Sequence, residues 1–277
     1  MKTNLIKQKS ISQRINDYDW IFIKSNKTEK HDFVPDPIYL IQQFYIPNNK
    51  KRSIEIKNCL KKNVKNKLFD KIFLLNEKYY DKDQIGVLPK SVKQIKIGKR
   101  LMVSDIFNFI DEYNINGYVV FSNSDIFFDN TLINIKHSNL SNQKKIYSQL
   151  RFEYNANKEL SACTLNQNGN NTYLKSFSKM TDSSPHKFDS ADTWIFHSKF
   201  NLHSSAREKL KKYLGYAGID HVIPKIFYQN GYEIANEPYL IKTYHWHESD
   251  HREWNKEDNI KSNRYNEDYL FCVVNNS

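Results

Sequence analysis

Residues 118–129 read YVVFSNSDIFFD. Tyr118–Ser122 is a short apolar run, preceded by Gly117 and followed by Asn123-Ser124-Asp125. A run of that length, carried by valine and aromatic residues, predicts a strand buried on both faces. The polar triplet then falls just past the strand's C-terminal end, where open α/β sheets bind ligands. An amide and a carboxylate two residues apart can serve a ribose hydroxyl and a divalent cation, and oxygen ligands suit Mg²⁺ or Mn²⁺. The same triplet also reads as a loop turn in which Asp125 bonds the backbone of the next turn. Residue types alone leave both readings open.

The pattern recurs upstream. Ile38–Ile46 (IYLIQQFYI), Lys71–Leu75 (KIFLL) and Val92–Ile97 predict three more strands. Between them, residues 53–64 place Ile54, Ile56, Cys59 and Leu60 at helical spacing. A second helix is expected from Ser104 as N-cap, with Ile106, Phe107, Phe109 and Ile110 inside it. Short apolar strands alternating with helices predict an α/β chain with a mainly parallel central sheet flanked by helices. Residues 37–130 then form a Rossmann-like nucleotide-binding half. Downstream, Lys145–Arg151, Asp192–His197 and Tyr239–His247 read as strands. Ser204–Tyr213 and Asp220–Gln229 read as helices, and Asn166–Asn171 as a loop. Residues 1–36 are polar apart from Trp20–Ile23 and end at Pro35-Asp36-Pro37, so they read as an extension wrapped onto the body. Residues 253–277 read as a charged tail that ends in an apolar piece, Tyr269–Val274.

Composition narrows the class. With 277 residues, 39% of them apolar and 14% aromatic, the chain can build one large core. Seven Gly and seven Pro exclude collagen-like and low-complexity classes. No apolar run approaches the ~18 residues of a membrane span, and Met1–Ile15 lacks the apolar centre of a secretory signal. These features predict a soluble, cytoplasmic chain. The net charge of +11 suits an anionic partner, but it also follows from codon usage that favours Lys, Asn and Ile. Runs such as Lys50-Lys51-Arg52 and Lys61-Lys62 read as solvated helix faces. Cys59, Cys163 and Cys272 lie far apart, so a cysteine zinc site is not expected. No GxGxxG, GxxxxGK[ST] or GxSxG occurs, which removes dinucleotide, P-loop and hydrolase-elbow readings.

Three further segments carry chemistry. Tyr239–Arg252 (YLIKTYHWHESDHR) sets His245 and His247 on one face of a strand, a metal or polyphosphate site or else a solvated strand end. Asp189–Phe196 (DSADTWIF) puts Asp192 at the start of an apolar strand, as a general base or an ordinary turn residue. Gln149–Glu153 (QLRFE) offers Arg151 for a phosphate or carboxylate and Glu153 for sugar hydroxyls, or else a surface ion pair.

Taken in order, IYLIQQFYI, GKRLMVSDIF, VVFSNSDIFFD, QLRFE, DTWIF and NEPYLIKTYHWHESDHR resemble the GT-A-fold nucleotide-sugar glycosyltransferases, viral and bacterial sequences in particular. The resemblance spans about Ile38 to Arg252. It implies a single catalytic domain over residues 37–252, with the acceptor half at 131–252. It implies transfer of a sugar from a nucleoside diphosphate sugar, UDP-sugar by default, to a glycan or glycoconjugate hydroxyl. It also implies a divalent cation, Mn²⁺ or Mg²⁺, on the diphosphate. Asn123-Ser124-Asp125 matches the DxD element, with Asn in place of the first Asp. Asp125 is then the metal ligand, and His245 or His247 supplies a late one, His245 being nearer the strand body. Phe44, Tyr45, Arg100, Asp105, Asn123 and Ser124 fall at donor-contacting positions. Arg151, Glu153 and Trp194 fall on the acceptor side. Asp192 is the first candidate base and Asp220 the second, and a base favours inversion. For a viral member, the compartment is the host cytoplasm.

Three other classes compete. A nucleotidyltransferase of NDP-sugar synthesis shares the fold but carries a Gly-rich loop after the first strand, where this chain reads FYIPNNKKR. A metal hydrolase on His245, His247 and His251 needs ligands after the early strands, which lack histidine. A nucleic-acid binder would cluster basic and aromatic residues in a motif that the sequence lacks, so no nucleic-acid partner is expected.

Overall fold

The computed structural model describes residues 19–24, 31–86, 88–154, 160–161, 191–216, 218–238, 240–249 and 270–275. Its centre is a seven-stranded sheet. In chain order the strands are β2 (Ile38–Gln42), β3 (Lys71–Asn76), β4 (Val92–Lys96), β5 (Tyr118–Ser122), β7 (Lys145–Leu150), β10 (Ala191–His197) and β11 (Glu233–Ala235). Across the sheet they run β11-β7-β10-β5-β2-β3-β4. β2 pairs in parallel with β3 and β5, β3 with β4, and β11 with β7. β10 alone is antiparallel to its neighbours β5 and β7. The sheet is therefore mainly parallel, as the strand–helix alternation predicted.

Period-two alternation sends side chains to two cores. Ile41, Phe73, Val119, Phe121, Trp194 and Phe196 face α3 (Val103–Glu112) and α5 (Ile219–Gln229). Ile38, Leu40, Ile72, Leu74, Val120 and Ile195 face the opposite layer, which includes α1 (Lys50–Lys65). Among the described residues, two further α-helices, α2 (Lys82–Ile85) and α4 (Ser204–Lys209), are short.

Several boundaries differ from the sequence reading. β2 stops at Gln42, because Gln43 and Phe44 turn out of the ladder: the Gln43 amide donates to Leu75 O and Lys99 O, and Phe44 N donates to Asn76 Oδ1. α1 starts at Lys50 because the Asn49 side chain caps it, accepting from Arg52 N at 3.0 Å. Ser104 lies inside α3 and is not its cap; Met102 holds that position, its N–H donating to Asp105 Oδ2 at 3.0 Å. The late strand shortens to β12 (Thr243–Trp246).

A second sheet, not expected from the sequence, runs β6-β12-β8-β9, with β6 at Ile126–Phe128, β8 at Phe152–Tyr154 and β9 at Leu160–Ser161. β12 is antiparallel to β6 and parallel to β8. α1 packs against this sheet. Lys62 Nζ lies over the rings of Phe127 (4.5 Å), Tyr154 (4.9 Å) and Trp246 (5.8 Å), one from each of three strands. Lys62 is thus not on a merely solvated face.

The chain's two apolar end pieces meet. β1 (Asp19–Lys24) pairs in parallel with β13 (Leu270–Asn275) from Asp19↔Leu270 to Lys24↔Asn275. The predicted loop Asn166–Asn171 lies outside the described residues. Among those residues, no helix is long and apolar enough to cross a membrane.

Candidate functional site

Asn123, Ser124 and Asp125 form the turn between β5 and β6, at the C-terminal edge of the central sheet. Buried amides pin that turn. Gln42 Nε2 donates to Ser122 Oγ and Asn123 O, both at 2.8 Å. Asn63 Nδ2 donates to Ile126 O at 2.9 Å, and Phe128 N donates to Asn63 Oδ1 at 3.2 Å. Trp246 N donates to Asp125 O at 2.9 Å, which brings β12 against the turn.

The result is a buried cluster. His245 Nε2 lies 3.0 Å from Asp125 Oδ2, and His247 Nδ1 lies 3.7 Å from the same oxygen. The three residues offer donor atoms within 4.8 Å of one another. Asp125 Oδ1 and His247 Nε2 are buried without a hydrogen-bond partner. Orphaned buried polar atoms are costly, and a cation is one way to satisfy them. One carboxylate with two imidazoles is a chemically suitable donor set for a divalent transition metal.

The electrostatics suit a ligand role. Burial pushes the Asp125 carboxyl up, but the charges and hydrogen bonds of His245 and Arg52 outweigh it and hold the group well below the usual carboxylate range. Burial, with Arg52 and His245 nearby, pushes His247 down to about 4, so its imidazole is neutral at pH 7 and keeps a lone pair.

The sequence reading missed Arg52 and Glu55. Both lie on the buried stripe of α1, whose positions Arg52, Glu55, Ile56, Cys59, Leu60 and Asn63 follow helical spacing. Arg52 Nη2 pairs with Asp125 Oδ2 at 2.5 Å, and Nη1 pairs with Glu55 Oε2 at 3.1 Å. Burial works against the guanidinium's charge, but Asp125 and Glu55 outweigh it and raise its pKa. The basic run Lys50-Lys51-Arg52 therefore ends in a buried ion pair. The signal available was Arg52, Glu55 and Asn63 sharing the spacing of the apolar residues between them.

A second cluster lies beside the first. Asp192 Oδ1 accepts from Asn123 Nδ2 at 2.5 Å, and Arg151 Nη1 pairs with Asp192 Oδ2. These residues come from neighbouring strand ends, since β10 lies between β5 and β7. Arg100 stacks on Tyr216 (4.6 Å) and Tyr213 (5.6 Å). A Cβ added at Gly215 would lie 3.5 Å from Asn123 Oδ1 and 3.9 Å from Arg100 Nη2, so this loop borders both residues.

The other expected residues are placed as follows. Ser124 Oγ donates to Gln43 O at 2.6 Å, turned towards the loop after β2. Tyr45 is half-buried and contributes to the field at Arg52. Glu153 is in register with His245 across the β8–β12 pair. Asp220 sits in the first turn of α5, 3.9 Å from His221 Nε2. Asp105 caps α3 and pairs with Lys99 at 2.9 Å. Two of the expected residues are buried. Phe44 is a core residue, edge-on to Tyr80 at 5.1 Å. Trp194 is fully buried and stacked on Phe121 at 5.2 Å, because its place on β10 points it into the α3/α5 core. Asp250, His251 and Arg252 lie outside the described residues.

No protein-family model and no curated protein matches the chain. Solved structures do match. GalNAc-T7, solved with UDP, GalNAc and Mn²⁺, aligns with a TM-score of 0.52 at 10% identity, over 76% of this chain and 43% of that one. A mannosyltransferase of Pyrobaculum calidifontis, solved with GDP-Man and Mn²⁺, gives 0.46 at 12%, over 80% and 60%. The 4-diphosphocytidyl-2C-methyl-D-erythritol synthase of Anaerococcus prevotii gives 0.39 at 14%, over 74% and 88%. The chain thus spans less than two thirds of the first two proteins. At these identities the likeness is one of fold. The mainly parallel sheet, the Asn123–Asp125 turn at its C-terminal edge and the alignment with GalNAc-T7 together give this chain a Rossmann-like GT-A fold.

Proposed function

We propose that the chain is a glycosyltransferase that moves a sugar from a nucleoside diphosphate sugar, UDP-sugar first among donors, to a hydroxyl of a glycan or glycoconjugate. The observation that carries this reading is the convergence of Asp125, His245 and His247 at the end of β5, with two buried donor atoms unpaired. GalNAc-T7, which has this fold, was solved with UDP and Mn²⁺. Two imidazole nitrogens favour Mn²⁺ over Mg²⁺, which prefers an all-oxygen shell and keeps its waters. Bound there, the cation neutralises charge that builds on the departing diphosphate.

The chain's own residues supply the rest. His245 and Arg52 keep Asp125 ionised, and His247 needs to lose no proton at pH 7. Arg100, packed against the touching rings of Tyr213 and Tyr216, borders the donor side at Asn123. On the acceptor side, Arg151 and Asn123 orient Asp192. An ion-paired carboxylate is a weakened base, so Asp192 accepts the acceptor's proton late, when the new bond to the anomeric carbon has made that hydroxyl acidic. Such a base gives inversion. Asp220 is the second candidate.

The test is a thermal-shift panel of UDP, GDP, CDP and dTDP, each with and without Mn²⁺. One diphosphate is expected to raise the melting temperature only with Mn²⁺, and Asp125→Ala is expected to abolish that shift. No shift with any of the four sinks the proposal. With the donor named, Asp192→Asn is expected to keep the shift and lose about 10²-fold or more in transfer. Asp220→Asn losing that much in its place would move the base there.

A further inference from the structure

Strand β12 ends at Trp246, and the chain leaves the sheet just past it, at His247 to Ser249. A side chain from another layer fastens the two residues after His247. Glu55 Oε1 accepts from Glu248 N at 2.8 Å, and Glu55 Oε2 accepts from Ser249 Oγ at 3.0 Å. The same Oε2 takes Arg52 Nη1 at 3.1 Å, while Arg52 Nη2 reaches Asp125 Oδ2 at 2.5 Å. One continuous chain of charge-assisted bonds therefore runs from Asp125, through the first turns of α1, to the two residues after His247. Outside the Arg52–Glu55 pair, these bonds reach a donor residue of the cluster, Asp125, and two residues within two positions of another, His247.

A buried ion pair is a poor way to fasten a helix. Apolar residues of similar volume are often as stabilising or more so, and the same stripe of α1 already uses Ile56, Cys59 and Leu60 for packing. What the pair adds is direction: it fixes the carboxylate and the histidine segment relative to each other. We propose that Arg52 and Glu55 are positioning residues which hold Asp125 and His247 in metal-binding geometry. This rests on the reading that Asp125, His245 and His247 hold a divalent cation. It extends that reading to two residues that do not themselves touch the cation.

The experiment uses the full chain with Mn²⁺ alone, following free Mn²⁺ by electron paramagnetic resonance. The absorption spectrum of the Co²⁺-loaded protein is the second readout. Glu55→Gln keeps the shape but accepts its three bonds poorly, and Arg52→Lys keeps the charge but loses the fork. Each is expected to weaken Mn²⁺ binding about tenfold, as outer-shell partners of metal ligands do, and to alter the Co²⁺ spectrum. The double variant is expected to bind about as weakly as the weaker single variant, since both break one chain of bonds. Ile56→Val, in the same turn, lowers stability without touching that chain and is expected to leave the Mn²⁺ Kd unchanged. If wild type binds Mn²⁺ and both single variants bind it equally well, the inference is overturned while the metal site stands. If wild type binds no Mn²⁺, the site falls and the inference with it. Should Glu55→Gln fail to fold, Ser249→Ala removes one link, with about threefold weaker binding expected and an unchanged Kd overturning the inference.

Discussion

Asn63→Ala is the substitution that most directly probes how the site is held. Asn63 has no exposed surface and sits eleven residues after Arg52 on the same stripe of α1. Its amide donates to Ile126 O at 2.9 Å and Gln42 Oε1 at 3.3 Å, and its carbonyl accepts from Phe128 N at 3.2 Å. In the alanine variant Ile126 O keeps one donor, Gln42 Nε2 at 3.2 Å, but the Phe128 N–H loses the side-chain acceptor it has in the wild type. An orphaned buried donor costs about 1–3 kcal/mol. The weakened bonds and the space left by the amide raise the total to about 2–4 kcal/mol. For a chain of this size that is a fall of about 5–15 °C in melting temperature. β6 begins one residue after Asp125, so Mn²⁺ binding should weaken as well. Circular dichroism melts and a Mn²⁺ titration read the two effects. A melting temperature within about 2 °C of wild type would refute the argument that this amide fastens β6 to α1.

Acid should destabilise the protein through His247 and His197. Burial lowers both pKa values, to about 4 for His247, so each binds a proton less readily folded than unfolded, where the value is about 6.5. Stability therefore falls as pH drops below about 6.5, and for His247 the loss continues to about pH 4, reaching about 3 kcal/mol. His247→Gln should flatten the melting-temperature profile over that window, and an unchanged slope would show that His247 does not carry it. Gly117→Ala should be severe: its φ is +143°, and an added Cβ would lie 2.4 Å from Pro37 O, the acceptor of Tyr118 N at the start of β5. Loss of soluble protein, or a drop of about 3 kcal/mol or more by urea denaturation, is the expected result. Lys62→Met keeps the alkyl stem but removes the ammonium from the three rings, and should cost about 1 kcal/mol by the same assay.

The sequence by itself determined six of the seven strands that build the central sheet, all but the short β11, and the edge at which the Asn123–Asp125 turn sits. Ile38–Gln42, Lys71–Asn76 and Tyr118–Ser122 are legible because strand geometry repeats every two residues and buried parallel strands are apolar on both faces. Asp125 is legible because it ends such a run, and His245 with His247 because they share a face two residues apart. The tertiary structure decided which polar residues are buried. Arg52, Glu55 and Asn63 read locally as a hydrophilic helix, and nothing within a turn of them reveals the distant partners of the Arg52–Glu55 pair or of Asn63. Arg52 meets a carboxylate 73 positions away, and His245 reaches the same carboxylate from 120 positions away. It also decided the reverse cases: Trp194 and Phe44, which flank polar motifs in the sequence, turn into the core. Local periodicity records backbone geometry. Burial of charge depends on what other segments bring to the same place, and only the assembled fold sets that.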